Sequence, residues 1–171
     1  SQLEAGAQIL DVNMGMPEVD ESRMLPLVIQ KLQGVLDAPL QIDSSNVKAI
    51  EQALRLYNGK PIVNSVNGEE GSMNAILPLV KKYGAAVVAL TLDDNGIPLL
   101  AEERFAIAER IVAHAEQYGI PREDIYVDCL TLTASVQQKE VVETLKAMRM
   151  VKEQLGCRTL LGVSNISFGL P

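Results

Sequence analysis

The chain has 171 residues, 47% of them hydrophobic, and this is enough apolar material for one sizeable core. A formal net charge of −7 argues against a protein that binds nucleic acid through a basic face. The longest apolar run, YGAAVVALTL, is about half of the roughly 20 residues that a transmembrane helix needs, so no membrane span is expected.

The first residues and the cysteines indicate a cytoplasmic protein. The opening stretch SQLEAGAQIL has no basic segment and does not resemble a signal peptide. Cys129 and Cys157 fit reduced thiols better than a disulfide framework. We therefore expect two free thiols.

Six short aliphatic segments are candidate strands, and segments with helical periodicity separate them. In chain order the strand candidates are AQILDVNM, PLQIDSS, PIVNSVN, AAVVALT, IYVDCL and TLLGVSN. Strands that alternate with helices through short connections predict right-handed crossovers and a parallel sheet covered by helices. The predicted fold class is therefore α/β.

Two of the intervening segments have the clearest helical pattern. The apolar face of the first consists of Val47, Ile50, Leu54 and Tyr57. The apolar face of the second, which runs from about residue 137 to 155, consists of Val141, Leu145, Met148, Val151 and Leu155. Gly59 and Gly156 follow these segments, and we expect each to end its helix in a left-handed conformation.

The ends of the sequence suggest an excerpt of a larger fold. SQLEAGA resembles the last turn of a helix closed by Gly6, and SFGLP directly follows a predicted strand. Six strands with about five complete helices are two strands short of an eight-stranded (β/α) barrel, which usually needs about 250 residues. We expect residues 1–171 to form one partial barrel domain that lacks the first and last strands.

Most candidate strands finish with a carboxylate or an amide. These residues are Asp11, Asn13, Asp43, Asn64, Asp128 and Asn165. The carboxyl ends of the strands in a parallel barrel share one rim, where essentially every such enzyme binds its substrate. Strand alternation places Asp11 with Asn13, Gln41 with Asp43, and Tyr126 with Asp128 on one side of their respective strands. The residues expected on the opposite, helix-covered face are Leu10, Val12, Ile42 and Val127.

An alternative is that these residues are turn formers or helix N-caps, as we expect for residues 44–46. Caps follow a strand, however, whereas Asp43, Asn64 and Asp128 are embedded among its last apolar residues. A buried carboxylate without partners is very costly, and an unpaired amide costs about 1–3 kcal/mol. For the set as a whole, a ligand or a polar network is the better explanation.

The chemistry of the set suggests what such a ligand carries. Carboxylates only accept hydrogen bonds and amides do both, which suits an uncharged or weakly basic heterocycle with N–H donors. A site built to pair such donors rejects analogues that lack them by about 10⁴. An anionic substrate would instead require Lys, Arg or a Gly-rich turn, and the strand ends supply none.

Other chemistries have weaker support. His114 is the only histidine and falls on a predicted helix surface, and neither cysteine has a partner at zinc spacing. We therefore expect neither a metal site nor a Ser-His-Asp triad. Neither a P-loop nor a G-x-G-x-x-G turn is present. A glycosidase acid and base pair stays open, although the aromatic residues typical of sugar platforms do not accompany these carboxylates.

Six ordered motifs resemble those of a known family. They are AGAQILDVNMG, LQIDSSN, GKPIVNSVNGE, YGAAVVALTLDDNGIP, IYVDCL and LLGVSNISFGLP. Together they resemble the pterin-binding family, in particular the methyltetrahydrofolate-binding domains of cobalamin-dependent methionine synthases and of methyltetrahydrofolate:corrinoid methyltransferases. The resemblance covers nearly the whole chain and implies a TIM barrel. Cys129 stands where the family usually has Pro.

The resemblance also implies a set of site residues. The implied pterin ligands are Asp43, Asn64, Asp128 and Asn165. The aspartates and the first asparagine would hold the N–H groups of the pterin, and Asn165 would lie near N5. Asp11 and Asn13 match a D-x-N strand of the family and would line the floor of the site. Asn165 and Asp128 are the implied catalytic residues.

The implied reaction moves the N5-methyl group of 5-methyltetrahydrofolate to the cobalt of a reduced corrinoid, which another domain or protein holds. A homodimer is compatible with the resemblance. Two alternatives stay open. One is a dihydropteroate synthase, although the motif of that enzyme resembles S-R-K where this chain has Ser164, Asn165 and Ile166. The other is a folate-binding module without catalysis of its own.

Overall fold

The computed structural model describes residues 1–131 and 138–164, in which six parallel strands form one open sheet. The strands are β1 (Leu10–Asn13), β2 (Leu40–Asp43), β3 (Ile62–Asn67), β4 (Ala86–Leu90), β5 (Ile125–Asp128) and β6 (Arg158–Leu160). They lie side by side in chain order, as in a barrel, but the sheet is not closed. The predicted α/β class is confirmed, and the consecutive order is consistent with part of a TIM barrel.

Helices connect the strands and cover one face of the sheet. They are α1 (Glu21–Gln33), α2 (Val47–Leu56), α3 (Glu70–Tyr83), α4 (Ala101–Gln117) and α5 (Gln138–Met150). A 3₁₀ turn (Arg122–Asp124) precedes β5, and a π-helical turn (Val151–Leu155) extends α5. Asn46 caps α2, because its Oδ1 accepts the backbone N–H groups of Lys48 and Ala49. No helix of the described ranges is long and apolar enough to cross a membrane.

The end of α2 differs from the prediction. The helix ends at Leu56 because Tyr57 has extended backbone, with φ −76° and ψ 127°. The Tyr57 hydroxyl then accepts a hydrogen bond from the Leu40 N–H at 2.9 Å, which ties the helix end to β2. Gly59 does have a positive φ of 103°, but it lies in the loop beyond the helix. The prediction that Gly59 ends the helix was therefore wrong.

The buried face of α5 also differs from the apolar pattern. Leu145 is 56% exposed, whereas Thr144 and Ala147 are buried. The helix is rotated in this way because the Thr144 hydroxyl bonds a buried arginine of α4. Val151 is buried, and Gly156 ends the segment at φ 67°, as predicted.

The two faces of the strands are separated as predicted. Val12, Ile42 and Val127 are buried under the helices, in the main core. The opposite face has a smaller cluster of Ile62, Ala86 and Val88. Because burying a Val or Ile side chain stabilises by about 1.5–3 kcal/mol, the helix-covered face supplies most of the hydrophobic stabilisation.

Two features shape the second half of β3 and the residues after it: a β-bulge, and a close contact between the backbones that follow β3 and β4. Asn64 pairs with Val88 and Val66 pairs with Ala89, so one additional residue on β3 has no partner on β4. Gly68 follows β3, and its N–H donates to the carbonyl oxygen of Leu92 at 2.8 Å. The chain leaving β3 is thereby tied to the chain leaving β4.

Replacing Gly68 by Ala is expected to destabilise the fold. A Cβ there would lie 2.7 Å from both Arg110 Nη2 and Ile107 Cγ2, and 3.0 Å from the Leu92 oxygen. We expect a loss of about 1–3 kcal/mol in the free energy of unfolding, measured by urea denaturation. Gly71→Ala is the matched control, because nothing lies within 4 Å of its Cβ, and it should be neutral or slightly stabilising. Equal stabilities of the two variants would contradict the steric argument.

Candidate functional site

The strand register aligns three of the predicted site residues in one row across the sheet. Asn13 on β1 pairs with Asp43 on β2, which pairs with Asn64 on β3. Asn13 Nδ2 donates to Asp43 Oδ2 at 2.9 Å, and Asn13 Oδ1 accepts from the Gly15 N–H at 2.8 Å. Neighbouring strands lie about 4.8 Å apart, so the row spans roughly 10 Å. Two amides thus flank one carboxylate.

Asp11 lies one row nearer the amino ends of the strands, in register with Gln41. Gln41 Nε2 donates to Asp11 Oδ1 at 2.5 Å. Desolvation raises the pKa of Asp11, the bond from Gln41 works against this, and the negative charge of Asp43 adds to the increase. Gln41 was not among the predicted site residues, although strand alternation places it on the same face as Asp43.

Asp128 lies one row nearer the carboxyl ends. It is in register with Leu90 on β4 and Leu160 on β6. Burial raises the pKa of Asp128, and a hydrogen bond from the Leu130 N–H to its Oδ1, 2.8 Å long, works in the opposite direction. Rows in a parallel sheet are about 6.6 Å apart, so Asp128 and Asp43 are offset in height as well as laterally.

The Asn13–Asp43–Asn64 row continues across the sheet to a cation. Val88 is in register with Tyr126, which is in register with Arg158. Arg158 Nη1 donates to the Tyr126 hydroxyl at 2.7 Å. Arg158 is the first residue of β6, so it does not belong to the carboxyl ends of the strands, where the sequence has no basic residue.

A cleft of about 480 Å³ opens beside Asp43 and Asn64, and this volume lies within the usual range of ligand sites. Its wall includes the starts of α2 and α3 and several polar residues that were not predicted. These are Ser44, Ser45, Ser65, Asn67, Glu69 and Ser72. The backbone there is held in place, because the Asn67 N–H donates to Ser72 Oγ at 3.1 Å. The cleft therefore combines two carboxylate residues, Asp43 and Glu69, with amides and hydroxyl groups.

Asn165 lies outside the described residues, so its position near the pterin N5 stays a prediction. β6 ends at Leu160, earlier than the predicted strand TLLGVSN. His114 lies in the last turn of α4, at the end of the fold opposite the strand carboxyl ends. Residues 1–131 and 138–164 contain no group of three His, Cys, Asp or Glu side chains arranged to hold a metal ion.

Both cysteines are buried free thiols. Burial, together with the negative charge of Asp128, raises the pKa of Cys129 to about 12. Burial also raises the pKa of Cys157. Because only the thiolate is a good nucleophile, neither side chain is activated for nucleophilic chemistry at neutral pH.

Comparisons with known proteins identify the class of this chain. The sequence model of the family described as pterin binding enzyme matches residues 1–171. The chain belongs to the pterin-binding family, which confirms the resemblance drawn from its motifs.

Several curated relatives have names that describe their activity. The chain is 32% identical over 180 residues to the methionine synthases of Mycobacterium leprae and Mycobacterium tuberculosis, covering 99% of this chain and 15% of theirs. It is 29% identical over 174 residues to a methylcorrinoid:tetrahydrofolate methyltransferase of Eubacterium limosum, covering 100% of this chain and 64% of that protein. The chain thus spans less than two thirds of the length of these relatives. The name of the Eubacterium limosum protein describes a methyl transfer between a methylcorrinoid and tetrahydrofolate.

Replacing Asp128 by Asn is expected to stabilise the fold at neutral pH. Burial raises the pKa of Asp128 above its ordinary value of 3.8, so the ionised form costs stability. That cost develops as the pH rises from about 3.8 through the raised pKa, and it is absent at lower pH, where both states are protonated. The Asn amide oxygen can still accept the Leu130 N–H.

We expect a gain of about 1 kcal/mol at pH 7, which corresponds to roughly 2–4 °C in Tm for a domain of this size. The gain should disappear below pH 3.8, measured by calorimetry at both pH values on unmodified and variant protein. Destabilisation at pH 7 would show that the charge of Asp128 supports the fold instead.

Proposed function

We propose that this domain binds 5-methyltetrahydrofolate through its pterin ring and transfers the N5-methyl group between the folate and the cobalt of a reduced corrinoid. The observation that carries the proposal is the Asn13–Asp43–Asn64 row, with Asp128 one row above it, in a chain of the pterin-binding family. Residues 1–171 would then form part of one pterin-binding barrel domain.

Hydrogen-bond complementarity supports a pterin ligand. The amino-pyrimidine edge of a pterin presents N–H donors next to a carbonyl acceptor, and carboxylates and amides can pair with both kinds of group. We assign Asp43 and Asp128 to N–H donors of the pterin. Asn64, whose amide both donates and accepts, is assigned to a donor and the acceptor next to it. Asn13 donates to Asp43 and so orients its carboxylate before a ligand arrives. Each charge-assisted bond contributes about 1.5–3 kcal/mol.

Asp11 suits the floor of the site. It lies one row below the Asn13–Asp43–Asn64 row, and Gln41 occupies one of its oxygens. Its negative charge also adds to the negative potential around Asp43. A negative floor favours a pterin that carries positive charge, which is the form from which the methyl group leaves most easily.

Methyl transfer requires help at N5. When the bond between the methyl carbon and N5 breaks, its electron pair stays on N5, and an unprotonated amine is a poor leaving group. A proton or a hydrogen bond delivered to N5 compensates for this charge. By resemblance we assign that donation or relay to Asn165, and Asp128 supports it by favouring a more cationic ring. The reduced cobalt of the corrinoid supplies the nucleophile.

The same residues would serve the reverse transfer. The name of the Eubacterium limosum relative gives a methylcorrinoid as donor and tetrahydrofolate as acceptor. Forward and reverse reactions share one transition state, so the pterin contacts and the proton at N5 are needed in both.

The corrinoid itself would be carried by another domain or protein. His114 is the only histidine of the chain, and it lies at the end of the fold away from the proposed site. The residues of this chain therefore offer the site no imidazole for a corrinoid. A cytoplasmic setting is part of the proposal, because both cysteines are free thiols.

The proposal is tested by replacing Asn64 with Ala in the full-length protein. We expect the affinity for 5-methyltetrahydrofolate, measured by isothermal titration calorimetry, to fall about 10- to 100-fold, because a pterin group would lose its partner. Tm should change little. Asn58→Ala is the matched control, since Asn58 is exposed in the loop before the same strand. Methyl transfer to cob(I)alamin should slow with Asn64→Ala and be unchanged with Asn58→Ala.

Different results would point to different functions. If the unmodified full-length protein does not bind the folate, the proposed function is wrong. Binding without methyl transfer would indicate a folate-binding module, and condensation of a pterin diphosphate with p-aminobenzoate would indicate a dihydropteroate synthase. A collapse of thermal stability in Asn64→Ala would indicate that Asn64 serves the fold.

Asn165→Ala tests the assignment at N5 separately. We expect the methyl-transfer rate to fall about 10²- to 10³-fold, as for the loss of a donor to a developing charge, while folate affinity changes much less. Single-turnover measurement with cob(I)alamin distinguishes the two effects. An unchanged rate with intact binding would remove Asn165 from the mechanism.

A further inference from the structure

A fully buried arginine joins the loops that follow β4 and β5. Arg104 on α4 is 0% exposed. Its Nε donates to the carbonyl oxygen of Pro98 at 2.7 Å, and its Nη1 lies 2.9 Å from that of Cys129 and 2.8 Å from that of Leu130. One guanidinium therefore binds three main-chain carbonyl groups from two loops at the carboxyl edge of the sheet.

Burying this charge costs free energy, so filling space in the core does not explain why an arginine occupies position 104. Desolvation lowers the pKa of Arg104, and the negative charges of Glu140 and Glu143 oppose that effect. An apolar side chain of similar volume is often equal or better for stability at a buried position. An arginine has a specific advantage here because it presents several donors in a fixed geometry.

Two of the three carbonyl groups that Arg104 binds, those of Cys129 and Leu130, belong to the turn that orients Asp128. Leu130 has φ 53°, a left-handed conformation that is unfavourable for a residue with a side chain, so the turn needs external support. The Leu130 N–H in that turn donates to Asp128 Oδ1 at 2.8 Å. Cys129, between them, has no ring to restrict the backbone. The turn is therefore held from outside.

Thr144 on α5 completes the support. Its Oγ1 accepts from Arg104 Nη1 at 2.6 Å and lies 3.2 Å from the Leu130 carbonyl oxygen. Thr144 is also buried, at 1% exposure. Side chains from α4 and α5 thus converge on the same turn, and a shift of either helix would be transmitted to Asp128.

We propose that Arg104 is a positioning residue of the pterin site, acting through the Cys129–Leu130 turn to hold the Asp128 carboxylate in the orientation that accepts a pterin N–H group. This inference rests on the proposed function, in which Asp128 is a pterin ligand. Thr144 assists by anchoring the guanidinium. Neither residue needs to touch the folate.

Arg104→Lys in the full-length protein tests the inference, because lysine keeps the charge but cannot reach all three carbonyl groups in a planar fork. We expect Kd for 5-methyltetrahydrofolate to rise at least tenfold, and about threefold for the milder Thr144→Val. Arg122→Met is the matched control. Arg122 donates to the Leu155 carbonyl oxygen at 2.9 Å just before the amino end of β5, so its loss should leave Kd unchanged.

A double-mutant cycle separates positioning from general stability. If Arg104 acts through Asp128, then Arg104→Lys should change Kd less than twofold in a protein that already carries Asp128→Asn. The inference would be overturned if the two substitutions reduced folate affinity independently, so that their effects on Kd multiplied in the double variant. An unchanged Kd in Arg104→Lys alone would also overturn it. If Arg104→Lys does not fold, the same cycle is run with Thr144→Val and judged by the same criterion. Absence of folate binding by the unmodified protein would instead overturn the proposed function.

Discussion

The hydrogen-bonded register between neighbouring parallel strands decides which side chains meet at the candidate site. Side chains alternate between the two faces of a strand, so a slip of one residue would move Asp43 under the helices and Ile42 to the open face. Ile42 is completely buried in the main core, and such a slip would lose its burial and leave a carboxylate among apolar groups. The core and the polar row therefore specify the same register.

The register also sets the heights of the polar groups. Asn13, Asp43 and Asn64 share one level, with Asp11 one row below and Asp128 one row above. A flat heterocycle placed against such a surface would meet donors and acceptors at different positions along its edge. The site is thus defined by offsets between strands as much as by the residue types that the strands carry.

Polarity at this edge has a stability cost that the rest of the fold offsets. Burial raises the pKa of both Asp11 and Asp128, so both carboxylates are less stable in their ionised forms than in water. The same property makes them stronger hydrogen-bond acceptors. Arg104 shows a related compromise, because a buried guanidinium orders two loops at the expense of its own desolvation. Arg104 and Thr144, which support the turn after Asp128, lie on helices, whereas Asn13 orients Asp43 from the sheet face itself.

The sequence by itself determined the α/β class, the six strands, the two faces of each strand and the acceptors near their ends. These features follow from periodicities of two and 3.6 residues, which are local properties of the chain. The motifs likewise identified the family.

Local patterns were less informative where a tertiary contact competes with them. Thr144 replaces Leu145 on the buried face of α5 because it bonds Arg104, and α2 stops before Gly59 where Tyr57 reaches β2. Only the tertiary structure decided the relative heights of the rows, the bulge after Asn64 and the link from Arg104 to Asp128. Each depends on pairing between segments that are distant in the chain, and no local pattern specifies how far one strand is shifted along another.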